Sequence, residues 1–118
     1  MRSLTAAFAA ALAVLAVSAS APADPVVRYH TCDHTGIESS ANNRHVNYLS
    51  TQGACDFAQH AARLWVHSTS CGFSHCNVWE GHNAIAYCGY ASKYDAEYTS
   101  KCHTSNSVGI IIGWKKLR

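Results

Sequence analysis

Charge is scarce in this chain: only 14% of its residues are Asp, Glu, Lys or Arg, and nine basic residues nearly cancel seven acidic ones. Loss of Arg2 with an N-terminal leader leaves eight against seven, too even a balance for a basic surface that grips nucleic acid. The sequence holds no Asn-x-Ser/Thr sequon, which excludes N-glycosylation, and no internal repeat or low-complexity tract. After the leader there is no second hydrophobic run, so no transmembrane segment is expected in residues 24–118. The two prolines, Pro22 and Pro25, both sit near the leader boundary and keep that stretch extended. Metal and catalytic signatures are absent too. There is no Cys-x2-Cys pair, no His-Glu-x-x-His and no Gly-x-Ser-x-Gly elbow.

What the chain does contain is a leader and six cysteines. One cation at Arg2, an apolar run from Leu4 to Val17 and small residues beyond it are the parts of a secretion signal over residues 1–23, cleaved after Ala19 or Ala23. All six cysteines, Cys32, Cys55, Cys71, Cys76, Cys88 and Cys102, follow it. That count in an exported small domain predicts three disulfides within residues 24–118, each contributing about 2 to 4 kcal/mol. With 48% apolar residues the chain is expected to fold rather than stay disordered.

The clearest element is a helix whose apolar positions Phe57, Ala58, Ala61, Leu64 and Trp65 recur at three and four residue steps, capped by Ser50 or Thr51. Asp56, His60, Arg63 and His67 make its wet stripe, with Asp56 placed to pair with His60. Strands are expected over Val26 to Cys32, Ser74 to Trp79, Asn83 to Tyr90 and Val108 to Trp114, and Gly81 supplies the turn between the middle two. Glu38 to Asn47 has no periodicity and reads as an exposed loop. Ser92 to Asp95 resembles a capping box opening a second helix, with Tyr94, Tyr98 and Cys102 stacked on one face.

The expected fold is therefore α+β: a four-stranded antiparallel sheet with two helices on one face, the split βαβ arrangement of order βαββαβ. Six cysteines allow fifteen pairings, and this topology favours Cys55 with Cys102, Cys71 with Cys88 and, by exclusion, Cys32 with Cys76. Read locally, however, Cys71 and Cys76 bracket a turn as a pair. On the last strand Val108, Ile110, Ile112 and Trp114 would face the helices. Gly109, Ile111 and Gly113 would then line the other face, where a partner chain could dock or a loop could pack closely.

For acid and base chemistry the candidates are Glu80 and His82 at the hairpin tip, a carboxylate and imidazole of the kind a secreted ribonuclease uses, with Asp33 and His34 as a second pair. Trp79 beside that tip is the tryptophan best placed to meet a ligand, and with His82 and Ile111 it forms the candidate binding set. His30 and His34 flank Cys32 on one strand face, but an oxidising compartment turns that cysteine into disulfide. No metal centre and no cofactor are expected.

Thr31-Cys32-Asp33, Gly53-Ala54-Cys55 and Ala86-Tyr87-Cys88, with the leader and cysteine count, resemble the small cysteine-rich proteins secreted by fungi. The likeness is to the virally encoded killer-toxin subunits of smuts and to plant-pathogen effectors on the same α/β sandwich. That resemblance implies an extracellular, effector or toxin-like interaction protein involved in virulence or competition, without enzymatic residues. Its partners would be a host or competitor protein, a membrane or a wall polysaccharide. The alternative is a small secreted hydrolase or a wall carbohydrate-binding module.

Overall fold

In the computed structural model, residues 27–118 are described; the expected leader over residues 1–23 lies outside the described residues. The chain forms strands β1 (His30–Thr31), β2 (Glu38–Ser39) and β3 (Arg44–Thr51), helix α1 (Cys55–His67), then β4 (Cys76–Glu80), β5 (Asn83–Cys88), β6 (Ser92–Tyr94), β7 (Glu97–His103) and β8 (Gly109–Lys115). All pairings are antiparallel. The sheet runs β1-β3-β8-β7-β5-β4, with β2 added to β3 and β6 to β7.

This corrects the expected four-stranded, two-helix fold. The segment from Ser92 to His103, read as a second helix, is the β6–β7 hairpin, with Tyr94 opposite Glu97. Its two-residue turn begins at Asp95, which takes φ 59°, a left-handed conformation that Asp tolerates and hairpin turns require. The loop expected over Glu38 to Asn47 is likewise a hairpin, with a turn over residues 40–43 that pairs Glu38 with His45 and Ser39 with Arg44.

Period-two patterning explains the core. On β7, Tyr98, Ser100 and Cys102 are buried while Glu97, Lys101 and His103 are exposed. Their partners on β8 are Trp114, Ile112 and Ile110, and beyond these lie Val46, Leu49 and Thr51 of β3. Val46 and Leu49 are three apart and would point to opposite faces of a regular strand. A bulge at Asn47 restores the parity, so both are fully buried. Trp114 donates its indole N–H to Ser100 Oγ at 3.1 Å, which is why a serine sits in this core.

Helix α1 covers that face. Ala58, Ala61, Ala62, Trp65 and Val66 are buried, whereas Phe57, assigned to the buried face by its spacing, is exposed. Its N-terminal flank is Ala54 without a side-chain cap, not Ser50 or Thr51. The helix packs on β2, β3 and β4, strands from opposite parts of the sheet order, so the sheet curls around it. Trp65 meets Trp114 edge-on at 5.5 Å, a contact contributing about 0.5 to 1.5 kcal/mol beyond area burial.

The disulfides are Cys32–Cys55, Cys71–Cys76 and Cys88–Cys102, none of them the pairing drawn from the split βαβ topology. The reason lies in the missing helix. Cys102 stands on β7 directly across from Cys88 of β5, so they join across the sheet. Cys76 is the next partner along that row, opposite Cys88, and turns to Cys71 five residues before it, as the local reading had it. Cys32 and Cys55 then tie the start of the sheet to the start of the helix.

One buried charge organises the helix end. Arg44 is only 6% exposed, its guanidinium lying 5.2 Å from the Trp65 ring centroid and 5.8 Å from that of Trp114. It donates to Trp65 O at 3.3 Å, to Ser68 O at 3.0 Å and to Cys71 O. Asn42 adds a bond to Val66 O at 3.1 Å. These carbonyls belong to the helix C-terminus and the loop after it, the negative end of the dipole, and they stand in for a carboxylate. Burial pushes Arg44 below its ordinary pKa, though a guanidinium keeps its charge at neutral pH. Gly72, at φ 116°, lets the backbone pass against the guanidinium, where a Cβ would lie 3.0 Å from Arg44 Nη2.

Candidate functional site

The β4–β5 hairpin forms as its sequence suggests, turning at Gly81 with φ 60°. Val78 points into the core, and Glu80, two residues on, points to the same side and reaches helix α1. There its Oε2 meets His60 Nε2, so the imidazole partner of Glu80 is His60 and not His82, which stands exposed in the turn itself. Asp56, expected to pair with His60, is exposed in the first turn.

Beside this contact lies a cleft of about 480 Å³ between β2, the second half of α1 and β4. Glu38 borders it from β2, His60, Arg63 and His67 from the wet helix stripe, and Trp79 from β4. Trp79 is 53% exposed, a large apolar face left in water at the mouth. Glu38 also faces His45, at 3.9 Å. The cleft thus gathers carboxylate, imidazole and guanidinium groups around one aromatic ring. It is open: His60 and Glu80 side chains are 48% and 56% exposed.

On the outer face of the sheet a second hollow, of about 600 Å³, is bordered by His75, Asn77, Trp79, Tyr87, Lys101 and His103, so Trp79 forms the ridge between the two. Tyr87 and His103 lie together there, 5.6 Å apart and tilted by 33°. Ile111 is on this outer face but only partly exposed, in a groove of about 440 Å³ with Tyr48 and Glu97. Ile110, Ile112 and Trp114 face inward as expected. The outward Gly109 and Gly113 are overlaid by Tyr29 and Tyr48, so this strip is filled by side chains and is not a bare apolar face.

The other expected sites resolve differently. The Asp33 carboxylate accepts hydrogen bonds from Thr35 Oγ1 at 2.7 Å and Thr35 N at 3.1 Å, an Asx turn that holds its pKa below the usual carboxylate value. Both bonds fall on Oδ1, which is engaged in local structure. His30 lies near the sulfurs of Cys32 and Cys55, but these are bonded to each other and offer no thiolate.

Glu38, Arg63 and His67 were absent from the expected site. The spacing of His60, Arg63 and His67 marks one helix face, but nothing in it reveals that Trp79 lies opposite. No family model, curated protein or solved structure matches this chain. Among the described residues no helix is long and apolar enough to cross a membrane.

Proposed function

We propose that this chain is an exported, disulfide-stapled protein that acts outside the producing cell by binding, and that the cleft under Trp79 receives a hydrophilic, ring-bearing ligand of saccharide type. The exposed Trp79 face at the rim of a cleft edged by Glu38, His60, Arg63 and His67 carries this reading. A flat apolar ring suits the C–H face of a sugar, and the flanking charged and imidazole groups suit its hydroxyls. Export rests on the leader pattern and is supported by three disulfides, which persist in oxidising compartments. The resemblance to killer-toxin subunits and effectors adds that the ligand belongs to a host or competitor, such as a wall polysaccharide.

The Glu80–His60 contact beside Arg63 favours the second reading, a small hydrolase. Binding is preferred because a dyad half open to water lacks the dry, preorganised surroundings in which charges accelerate a reaction. The test is a screen of the purified oxidised protein on immobilised wall polysaccharides, followed by hydrolysis assays on the same glycans and on RNA. Trp79→Ala should weaken binding about tenfold, the loss of roughly one good stacking contact, while leaving thermal stability unchanged. Unaltered glycan binding by that variant would overturn the reading. So would product formation that disappears in Glu80→Gln and His60→Ala.

A further inference from the structure

At the other end of the aromatic core, four cations converge. A basin of about 340 Å³ is bordered by Lys93, Tyr98, Lys115, Lys116 and Arg118, drawn from the β6–β7 hairpin, the end of β8 and the tail. It shares no residue with the cleft under Trp79. Lys93 Nζ lies 5.7 Å from the Tyr98 ring centroid, and Lys116 Nζ the same distance from that of Phe73. Phe73 is itself fixed edge-on against Tyr98 and Trp114, at 5.2 and 5.3 Å, although its own surface is 53% exposed. The tail is fixed as well. Arg118 donates from its backbone N to Asn43 Oδ1 at 2.8 Å and from Nη2 to Ser40 O at 3.1 Å.

Among the described residues none of these cations has a carboxylate at ion-pair distance. Among the described residues the ion pairs are Glu38 with His45 and Glu80 with His60. Glu97, register partner of Lys115, instead accepts at Oε1 from Asn47 at 3.3 Å, and Asp95 stands on the hairpin turn. In a protein with so even an overall charge, this is local concentration of one sign: like charges held together by the fold repel, and a bound anion relieves that. Aromatic rings steady the ammonium groups without using their N–H donors.

We propose that this basin is a binding site for a phosphate group, whether free in solution or borne on a lipid head. Several lysine point charges match a compact dianion better than the single charge of a carboxylate, and the arginine adds planar donors. Binding is expected to weaken as salt rises.

Calorimetry with inositol hexakisphosphate, and cosedimentation with phosphatidylcholine vesicles with and without a phosphoinositide, both at about 0.15 M salt, test this. The wild-type protein should bind one or both probes, and Lys93→Glu with Lys116→Glu should weaken that binding at least about tenfold. The control, Arg28→Glu with Lys101→Glu, makes the same charge change away from the basin and should bind as wild type. Binding to the soluble probe assigns a free phosphate; binding to vesicles alone assigns a lipid head. Circular dichroism and disulfide mapping confirm the fold of each variant, with Lys93→Ala and Lys116→Ala as the milder replacement. No binding by either probe, or equal loss in the control, would overturn the proposal. So would a sulfated polysaccharide that binds more tightly than phosphate through the same lysines.

Discussion

Arg44 and the pair Lys93 and Lys116 make the same kind of contact at two ends of one aromatic stack, Trp65–Trp114–Tyr98 with Phe73 against it, and the consequences differ. At the inner end, guanidinium N–H groups are taken by three backbone carbonyls, and the side chain is buried. At the outer end the ammonium groups are themselves exposed, Lys93 over the edge of the core at Tyr98 and Lys116 over the exposed Phe73. A cation over an aromatic ring therefore does not by itself reveal a role. What separates the two is whether the donors are already spoken for: Arg44 holds the fold, and the lysines are left to hold something else.

Removing the inner charge should have the largest effect. Arg44→Met keeps length and apolar bulk but takes the donor from Ser68 O and Cys71 O, while Trp65 O keeps the Ser68 N–H at 3.1 Å, a loss of about 4 kcal/mol. For a domain of this size that lowers the thermal midpoint by more than about 15 °C. Arg44→Lys should recover only part, because one compact ammonium cannot reach all three oxygens. A drop of a few degrees in circular dichroism melts of Arg44→Met would remove the distinction between the two ends.

The disulfides sharpen the comparison next, since Cys71–Cys76 holds the loop whose carbonyl Arg44 grips, while Cys32–Cys55 lies at the helix start. Their sequence separations are 5 and 23. Loop-closure entropy then predicts that Cys32→Ala with Cys55→Ala costs about 3 kcal/mol, and Cys71→Ala with Cys76→Ala about 2 kcal/mol, in urea unfolding. The reverse order would show that the short bridge acts on the folded state by fixing Cys71 O beneath Arg44.

These features differ in how far the sequence discloses them. Helix α1 is legible because Ala58, Ala61 and Trp65 repeat its period, and the β4–β5 hairpin because Gly81 separates two β-rich runs. The β6–β7 hairpin is misread because the spacing of four from Tyr98 to Cys102 fits both a helix face and one face of a strand, and Tyr94, exposed on the neighbouring strand, extends that spacing by coincidence. With that helix lost, the cysteine pairings built on it fail together. Arg44 looks like part of a polar loop, since its burial depends on Trp65 and Trp114, which are far along the chain. The candidate site behaves likewise. Trp79 and Glu80 are visible at a hairpin tip, but His60 reaches Glu80 only through tertiary packing. Lys115, Lys116 and Arg118 stand together at the end of the sequence, but their companion Lys93 lies in the segment expected to be helix, so the basin could not be seen there.

The smallest effect belongs to the outer lysines, and its smallness carries the argument. Lys93→Ala and Lys116→Ala each remove an exposed cation–π contact of about 0.5 kcal/mol, offset by relief of repulsion among four like charges in the basin. Melting midpoints should therefore stay within about 4 °C of wild type. At low ionic strength, where repulsion reaches further, the alanine variants should gain relative to wild type, because salt screens what the substitution removes. A loss comparable with that of Arg44→Met would make the outer lysines structural and leave no free charge for a ligand. Near-neutral stability joined to lost phosphate binding would separate the two ends as a built core and a built site.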